Sequence, residues 1–394
     1  MPITVWGLAI AQALLGTGNI LLVAVSALIG KELATHPAQI TLPMAFQFLG
    51  VIAATLPAAH IMQRLGRKVG FLLGNSIGLF GAWVALQGLH ASDIWLFAVG
   101  TMLIGVAIGT SQQYRFAALD CAPNHRSRAI SMVMAGGVLA AILGPNMADW
   151  AQHWYSGSPF VGSFYGLAGL YALALVLIAL LPLPPAKARD HTETPRSYRT
   201  LFQQPILIAA IAAGAIGYGI MVLLMTATPL AMQHDEFPFP DITTVIQWHV
   251  LGMFVPSFFT GHLIRRFSSR IVILWGCALL LICIVIHMLG QSFAHYLAGL
   301  LLLGVGWNFT FIGGTHLLTY TYEPAEQGKV QGINEFLVFT AAAVGSLFAG
   351  QGIHALGWLG LNLASIPFIL LVAVVIMRLQ DSRSREKERK VVVD

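Results

Sequence analysis

Apolar stretches of about 20 residues recur twelve times along this chain, near 4–30, 41–62, 69–89, 94–120, 129–150, 161–183, 205–231, 242–264, 271–290, 293–319, 329–352 and 357–379. A helix crosses a bilayer core of about 30 Å in about 20 residues. Inside that core no water reaches the backbone, so each run must close its own hydrogen bonds as a helix. Charged residues are 9% of the 394 and apolar ones 57%, where a soluble domain carries about 25% charge. The expected fold is an all-α membrane protein of twelve transmembrane helices, spans 1 to 12.

The cations test this division independently of hydropathy. With both termini inside, 19 of the 21 lysines and arginines fall in loops 2–3, 4–5, 6–7, 8–9 and 10–11 or in the tail. Lys31 falls outside and Arg115 within span 4. This asymmetry orients a multi-pass protein of the inner or plasma membrane with cytoplasmic termini. The net charge of +5 is thereby absorbed by topology, and no nucleic-acid partner is expected. Cys121, Cys277 and Cys283 are odd in number and lie in or beside spans, which argues against a disulfide framework and against a zinc site. The first run lacks a basic leader and exceeds a signal peptide in length.

The longest polar interruption, PPAKARDHTETPRSYRTLFQQ at 184–204, divides residues 1–183 from 205–379, with a charged tail at 380–394. It reads as a cytoplasmic linker between six-helix bundles. The bundles repeat: Ala59 to Lys68 (AHIMQRLGRK) aligns with Gly261 to Arg270 (GHLIRRFSSR) at an offset of 202, and Pro123 with Pro324 at 201. Parallel six-helix halves are one architecture of membrane transporters.

At this point the chain resembles the major facilitator superfamily over essentially its whole length. The family writes its 2–3 loop as G-x-L-x-D-R-x-G-R-K; here stand Ala59, Ile61, Gln63, Arg64, Gly66, Arg67 and Lys68. The basic half matches, while Gln63 replaces the aspartate that helps latch the halves. The resemblance implies a cytoplasmic gate of Arg64, Gly66, Arg67 and Lys68, with Asp120 available as partner to Arg64 or Arg67; the other reading is topogenic charge alone. Span 5 partly matches the exporter pattern G-x-x-x-G-P-x-x-G-G through Ala140, Gly144, Pro145, Ala148 and Asp149. Gly144 and Pro145 are expected to pack this span against span 8, and the match leans towards efflux; ordinary small-residue packing is the alternative.

The family architecture places spans 1, 4, 7 and 10 around a central cavity. Gln12, Gly16 and Asn19 share a face of span 1, and Gln112 shares one with Arg115 on span 4. Arg115 lies about 7 Å inside the helix end, and an intramembrane cation is a functional-site hypothesis. The alternative is a structural tie to carbonyls or to Asp120. Span 7 offers Tyr218 beside Met221 and Met225, a spacing equally suited to packing; span 10 offers Asn308, with His316 as the repeat counterpart of Arg115; span 11 offers Gln331, Asn334 and Glu335. Glu335 is the leading proton carrier, Arg115 its movable partner and His316 a substitute; a permanently paired carboxylate at the mouth is the other reading. Solute contacts are expected from Arg115, Gln112, Gln12, Asn19, Asn308, Asn334 and Tyr218.

No phosphate-binding loop, HExxH or GxSxG occurs, so neither ATP-driven transport nor an enzyme is expected, and no cofactor or metal. The expected function is secondary transport of a small organic solute by a monomer in the lipid bilayer, coupled to protons, with export favoured by span 5. The alternatives are a proton-linked importer of an anionic nutrient, a vitamin or siderophore, with riboflavin importers one lead by general likeness, and a non-transporting membrane sensor.

Overall fold

The computed structural model describes residues 1–122, 125–151, 154–155, 160–183, 196–323 and 326–379. Pro123 and Pro324, most of the linker (184–195), the tail (380–394) and the side chains of Gln63, Arg126 and Arg128 lie outside the described residues. The described chain is helical with no strand. In order the helices are α1 (Ile3–Leu33), α2 (Leu42–Leu65), α3 (Arg67–Ala91), α4 (Ile94–Ser111), α5 (Tyr114–Cys121), α6 (Arg126–Ala151), α7 (Val161–Leu180), α8 (Tyr198–Leu201), α9 (Pro205–His234), α10 (Phe239–Phe254), α11 (Ser257–Phe267), α12 (Ser269–Leu289), α13 (Phe293–Leu318) and α14 (Gln327–Met377).

Ten of these are long and apolar enough to cross a membrane, or eleven when α10 and α11, bent by 42° at Val255–Pro256, count as one span. The 51-residue α14 covers spans 11 and 12 and is broken at Gly357 (φ 68°, ψ 178°), a backbone that favours glycine. At about 1.5 Å per residue it is more than twice a bilayer core in length, so the sequence expectation of twelve requires each arm to be a span. Span 4 is interrupted too: the helix lapses at Gln112 and Gln113 and resumes as α5. Polar caps mark some entries, as where Asp93 accepts from Trp95 N at 2.8 Å and Leu96 N at 3.2 Å to open α4.

The internal repeat is visible in the backbone. Gly66, between α2 and α3, has φ 92° and ψ 156°; Ser268, between α11 and α12 and 202 residues on, has φ 84° and ψ 155°. Two halves thus make the same strained turn, one with glycine and one with serine.

The halves, α1–α7 and α9–α14, meet along α1, α2 and α6 on one side and α9, α10 and α14 on the other. Small residues let helices approach within each half: a Cβ on Gly16 of α1 would lie 2.8 Å from Ala140 Cβ, and one on Gly144 of α6 would lie 2.8 Å from Ile20 Cβ. Gly144 therefore packs α6 against α1. The sequence expectation of close packing holds, but its partner is corrected: the seam with span 8 is made by Gly137, whose Cβ would meet the Phe254 ring at 3.2 Å, and by Asn146, whose Nδ2 donates to Gln247 Oε1 at 2.9 Å. Gly136 and Gly144 both meet α1, while Gly137, turned about 100° from Gly136, meets Phe254.

The seam is closed at the end far from the N-terminus. Lys31 Nζ donates to Gln233 Oε1 at 2.8 Å, Thr41 Oγ1 lies between Leu347 O and Gly350 N at 3.3 Å from each, and Phe160 meets Phe239 edge-on at 5.2 Å. From Leu21 to Gly30 every residue of α1 is buried, as is α9 from Ile220 to Met232 except Leu223. Towards the N-terminal end the same helices carry partly exposed positions, among them Gln12, Gly16, Asn19, Ile216 and Tyr218. Among the described residues the seam is thus buried at one end and partly exposed at the other.

Candidate functional site

On the open side, α5 and α14 bring Arg115 and Glu335 together across the seam. Arg115 Nη2 is 3.8 Å from Glu335 Oε1, with the side chains 37% and 32% exposed. That separation is an ion pair without a hydrogen bond. Arg115 Nε is buried with no hydrogen-bond partner among the described residues, and the guanidinium lies 4.9 Å from the centre of the Phe116 ring. Arg115 follows the break at Gln112–Gln113 on the first turn of α5, and Gln112 sits partly exposed at that break as the cap of α4.

Deeper in, Gln47 Nε2 donates to Asn19 Oδ1 at 2.6 Å, linking α2 to α1. Gln47 is a residue the sequence reading passed over, as a lone amide in an apolar run. Gln12 is partly exposed on α1. Asn334 is half-buried on α14, its Oδ1 4.0 Å from where a Cβ on Gly214 of α9 would stand. Tyr218 projects from α9 into aromatic neighbours: Trp307 at 5.3 Å, Phe311 at 5.7 Å, Phe339 at 5.8 Å and, from the other half, Phe48 at 6.3 Å, all edge-on.

Two expectations are relocated. Asn308 is wholly buried, donating through Nδ2 to Met253 O and Ser257 Oγ at 2.7 Å each and accepting from Thr260 Oγ1 at 2.7 Å. It satisfies the backbone freed where α10 breaks into α11, so its amide is engaged there and not with a solute. His316 does not take the place of Arg115 at the seam; its Nδ1 meets Ser269 Oγ of α12 at 2.7 Å and its ring lies edge-on to Tyr320.

At the loop end, Arg67 Nε donates to Asp120 Oδ2 at 2.6 Å, choosing Arg67 over Arg64 as the partner of α5. Gly66 supplies the positive φ, and Lys68 follows on the first turn of α3, with Arg64 exposed on the last turn of α2. The second half has no acid at the matching site, Thr321, and there Arg270 Nη2 caps Met377 O. Beside it the linker is clasped: Arg196 donates from Nε and Nη2 to the two oxygens of buried Glu326, each at 2.6 Å, and its backbone N adds a bond of 2.9 Å. These bonds hold the Glu326 carboxyl at about 2, well below its usual range.

Two like halves of apolar helices, sealed at one end and open at the other with a charge pair across the mouth, define a polytopic membrane carrier. The Major Facilitator Superfamily profile matches residues 8–312 and 230–392, and the chain belongs to that family. It is 38% identical over 377 residues to the riboflavin transporter RfnT of Brucella anthropi, covering 95% of each chain. It is 30% identical over 395 residues to the uncharacterized MFS-type transporter YdeG of Bacillus subtilis, covering 95% of this chain and 91% of that one. Its fold superposes on a crystal structure of the nucleoside transporter NupG with a TM-score of 0.72 at 12% identity, over 96% of this chain and 99% of that one. The protein is a transporter of small solutes and not an enzyme.

Proposed function

We propose that this protein is a monomeric, proton-coupled importer of a riboflavin-like vitamin, and that the structure is its inward-facing state. The observation that carries the coupling is the Arg115–Glu335 pair, which joins the halves on the open side at 3.8 Å. The charge asymmetry of the loops supports a cytoplasmic open side and cytoplasmic termini in the inner membrane. The likeness to RfnT supports the solute class.

In this reading a protonated Glu335 loses its attraction to Arg115 and frees the mouth; once deprotonated, it recaptures the guanidinium. Arg115 alternates between Glu335 and the solute, whose polar atoms also meet Gln112, Gln12, Asn19, Asn334 and Tyr218. Arg64, Gly66, Arg67, Lys68 and Asp120 form the cytoplasmic gate, with Arg67–Asp120 as the persisting part. The partial exporter pattern of span 5 leaned towards export; the likeness to RfnT outweighs it here, and uptake is the direction proposed.

The test is riboflavin accumulation by proteoliposomes under an imposed proton gradient. Accumulation that follows the gradient and is lost in Arg115→Ala and Glu335→Gln supports the reading. Flux indifferent to the gradient, or unchanged in both variants, removes the coupling assignment.

A further inference from the structure

We propose that Tyr218, Trp307, Phe311 and Phe339, with Phe48 from the other half, are the stacking platform for the planar ring of the solute. The inference deepens the riboflavin reading and rests on it for the identity of the ring, but not for the existence of the platform. Trp307 and Phe311 are already face to face, centroids 5.0 Å apart and planes 10° from parallel, one helical turn apart on α13. Tyr218 stands edge-on to both and to Phe339, so three helices of one half supply a single aromatic cluster. Phe48 is the contact that carries it across the seam.

Position distinguishes this cluster from apolar filler. Tyr218, the aromatic of α9, is partly exposed just before the stretch from Ile220 to Met232 that is buried except at Leu223. The rings therefore form the floor of the opening, between the polar mouth at Arg115 and the sealed end at Lys31–Gln233. Tyr218, Phe311 and Phe339 are each only partly buried there. Stacking on such rings tolerates many flat heteroaromatics.

A second observation points to a ligand with polar atoms on its rim. Trp307 is 7% exposed, yet its Nε1 donor has no hydrogen-bond partner among the described residues. Buried donors are nearly always satisfied, and an orphan donor within the cluster suits a ring whose edge offers a carbonyl. The isoalloxazine of a flavin has such an edge.

The experiment measures binding to the purified full chain of riboflavin, of lumichrome (the tricycle without its polyol), of ribitol and of a panel of purine and pteridine bases. An indole or phenol stacked on an excited flavin donates an electron and quenches its emission, which reports stacking separately from affinity. Wild type should bind riboflavin and lumichrome with quenched emission and ignore ribitol. Trp307→Leu and Tyr218→Leu should each weaken lumichrome by about 5- to 100-fold, the scale of one lost ring stack. Tyr218→Phe keeps the ring and should weaken lumichrome far less than Tyr218→Leu while relieving part of the quenching, which guards against a variant that merely misfolds; Trp150→Phe, on the exposed face of α6, should change neither. Flavin binding by wild type with affinity and quenching intact in the Leu variants overturns the platform and leaves the riboflavin reading standing. Binding of another flat base but no flavin, still lost in Trp307→Leu, overturns the riboflavin reading and keeps the platform. Binding of ribitol alone, or of no planar ring, overturns both.

Discussion

Arg115 on α5 and Glu335 on α14 come from opposite halves of the molecule and stand 3.8 Å apart at its open mouth. Each is an ionisable group in an otherwise apolar segment, and such groups are retained where they face a partner or a water-filled path. The pair is loose enough to part and close enough to hold.

From that pairing, Glu335→Gln should uncouple the carrier without unfolding it. Gradient-driven accumulation should fall by about tenfold or more, equivalent to about 1.4 kcal/mol of lost coupling, while solute exchange at equal pH persists. Parallel flux assays on one preparation distinguish the two, and loss of both together would point to damaged folding instead.

The paired turns at Gly66 and Ser268 give a stability prediction. Ser268 holds a backbone region that is essentially glycine's, at a cost of about 1–3 kcal/mol. Ser268→Gly should therefore stabilise the protein by about 1 kcal/mol, and Gly66→Ala should destabilise it by about 1–3 kcal/mol. Thermal unfolding in detergent reads both, and a Ser268→Gly variant that melts below wild type would remove strain as the feature the two turns share.

The linker clasp predicts a pH dependence. Glu326 is held at about 2 against an ordinary 4.5, so the folded state binds its proton less readily than the unfolded chain. Its stabilising contribution is fully present above about pH 4.5 and is lost as pH falls towards 2. Arg196→Ala should lower the unfolding temperature by a few degrees at pH 7, and by progressively less as the pH drops through that range. A deficit that does not shrink in acid would remove the ion pair as its cause.

Closure at the far end can be tested by tethering. Thr41 and Gly350 are in direct contact across the seam, so a Thr41→Cys, Gly350→Cys pair should cross-link in this state and stop transport, with recovery on reduction. A cross-linked protein that still transports would mean this seam does not open.

The all-α membrane fold, the repeat and the Arg115–Glu335 pairing are legible in the sequence because each leaves a contrast: apolar length, a 202-residue echo, charges where none belong. What lacks contrast is not legible there. Nothing in Gln112–Gln113 announces a helix break, since neither proline nor glycine stands there. Trp307, Phe311, Phe339 and Phe48 are single aromatics in apolar runs, and only tertiary structure gathers them. Asn308 looked like a solute contact because its span was placed correctly, while its obligation to the α10–α11 bend depends on a neighbour that pattern alone does not reveal. Gly144 stands out as a packing residue, but a small residue in a pattern does not name its neighbour: α6 lies between α1 and α10, and Gly144 itself meets α1.

The most direct test of the account is the accumulation of riboflavin in proteoliposomes with an inward proton gradient, wild type against Glu335→Gln. The account predicts accumulation above equilibrium in wild type that collapses when the gradient is dissipated, and only equilibration in the variant. Concentrative uptake by Glu335→Gln equal to wild type would contradict it.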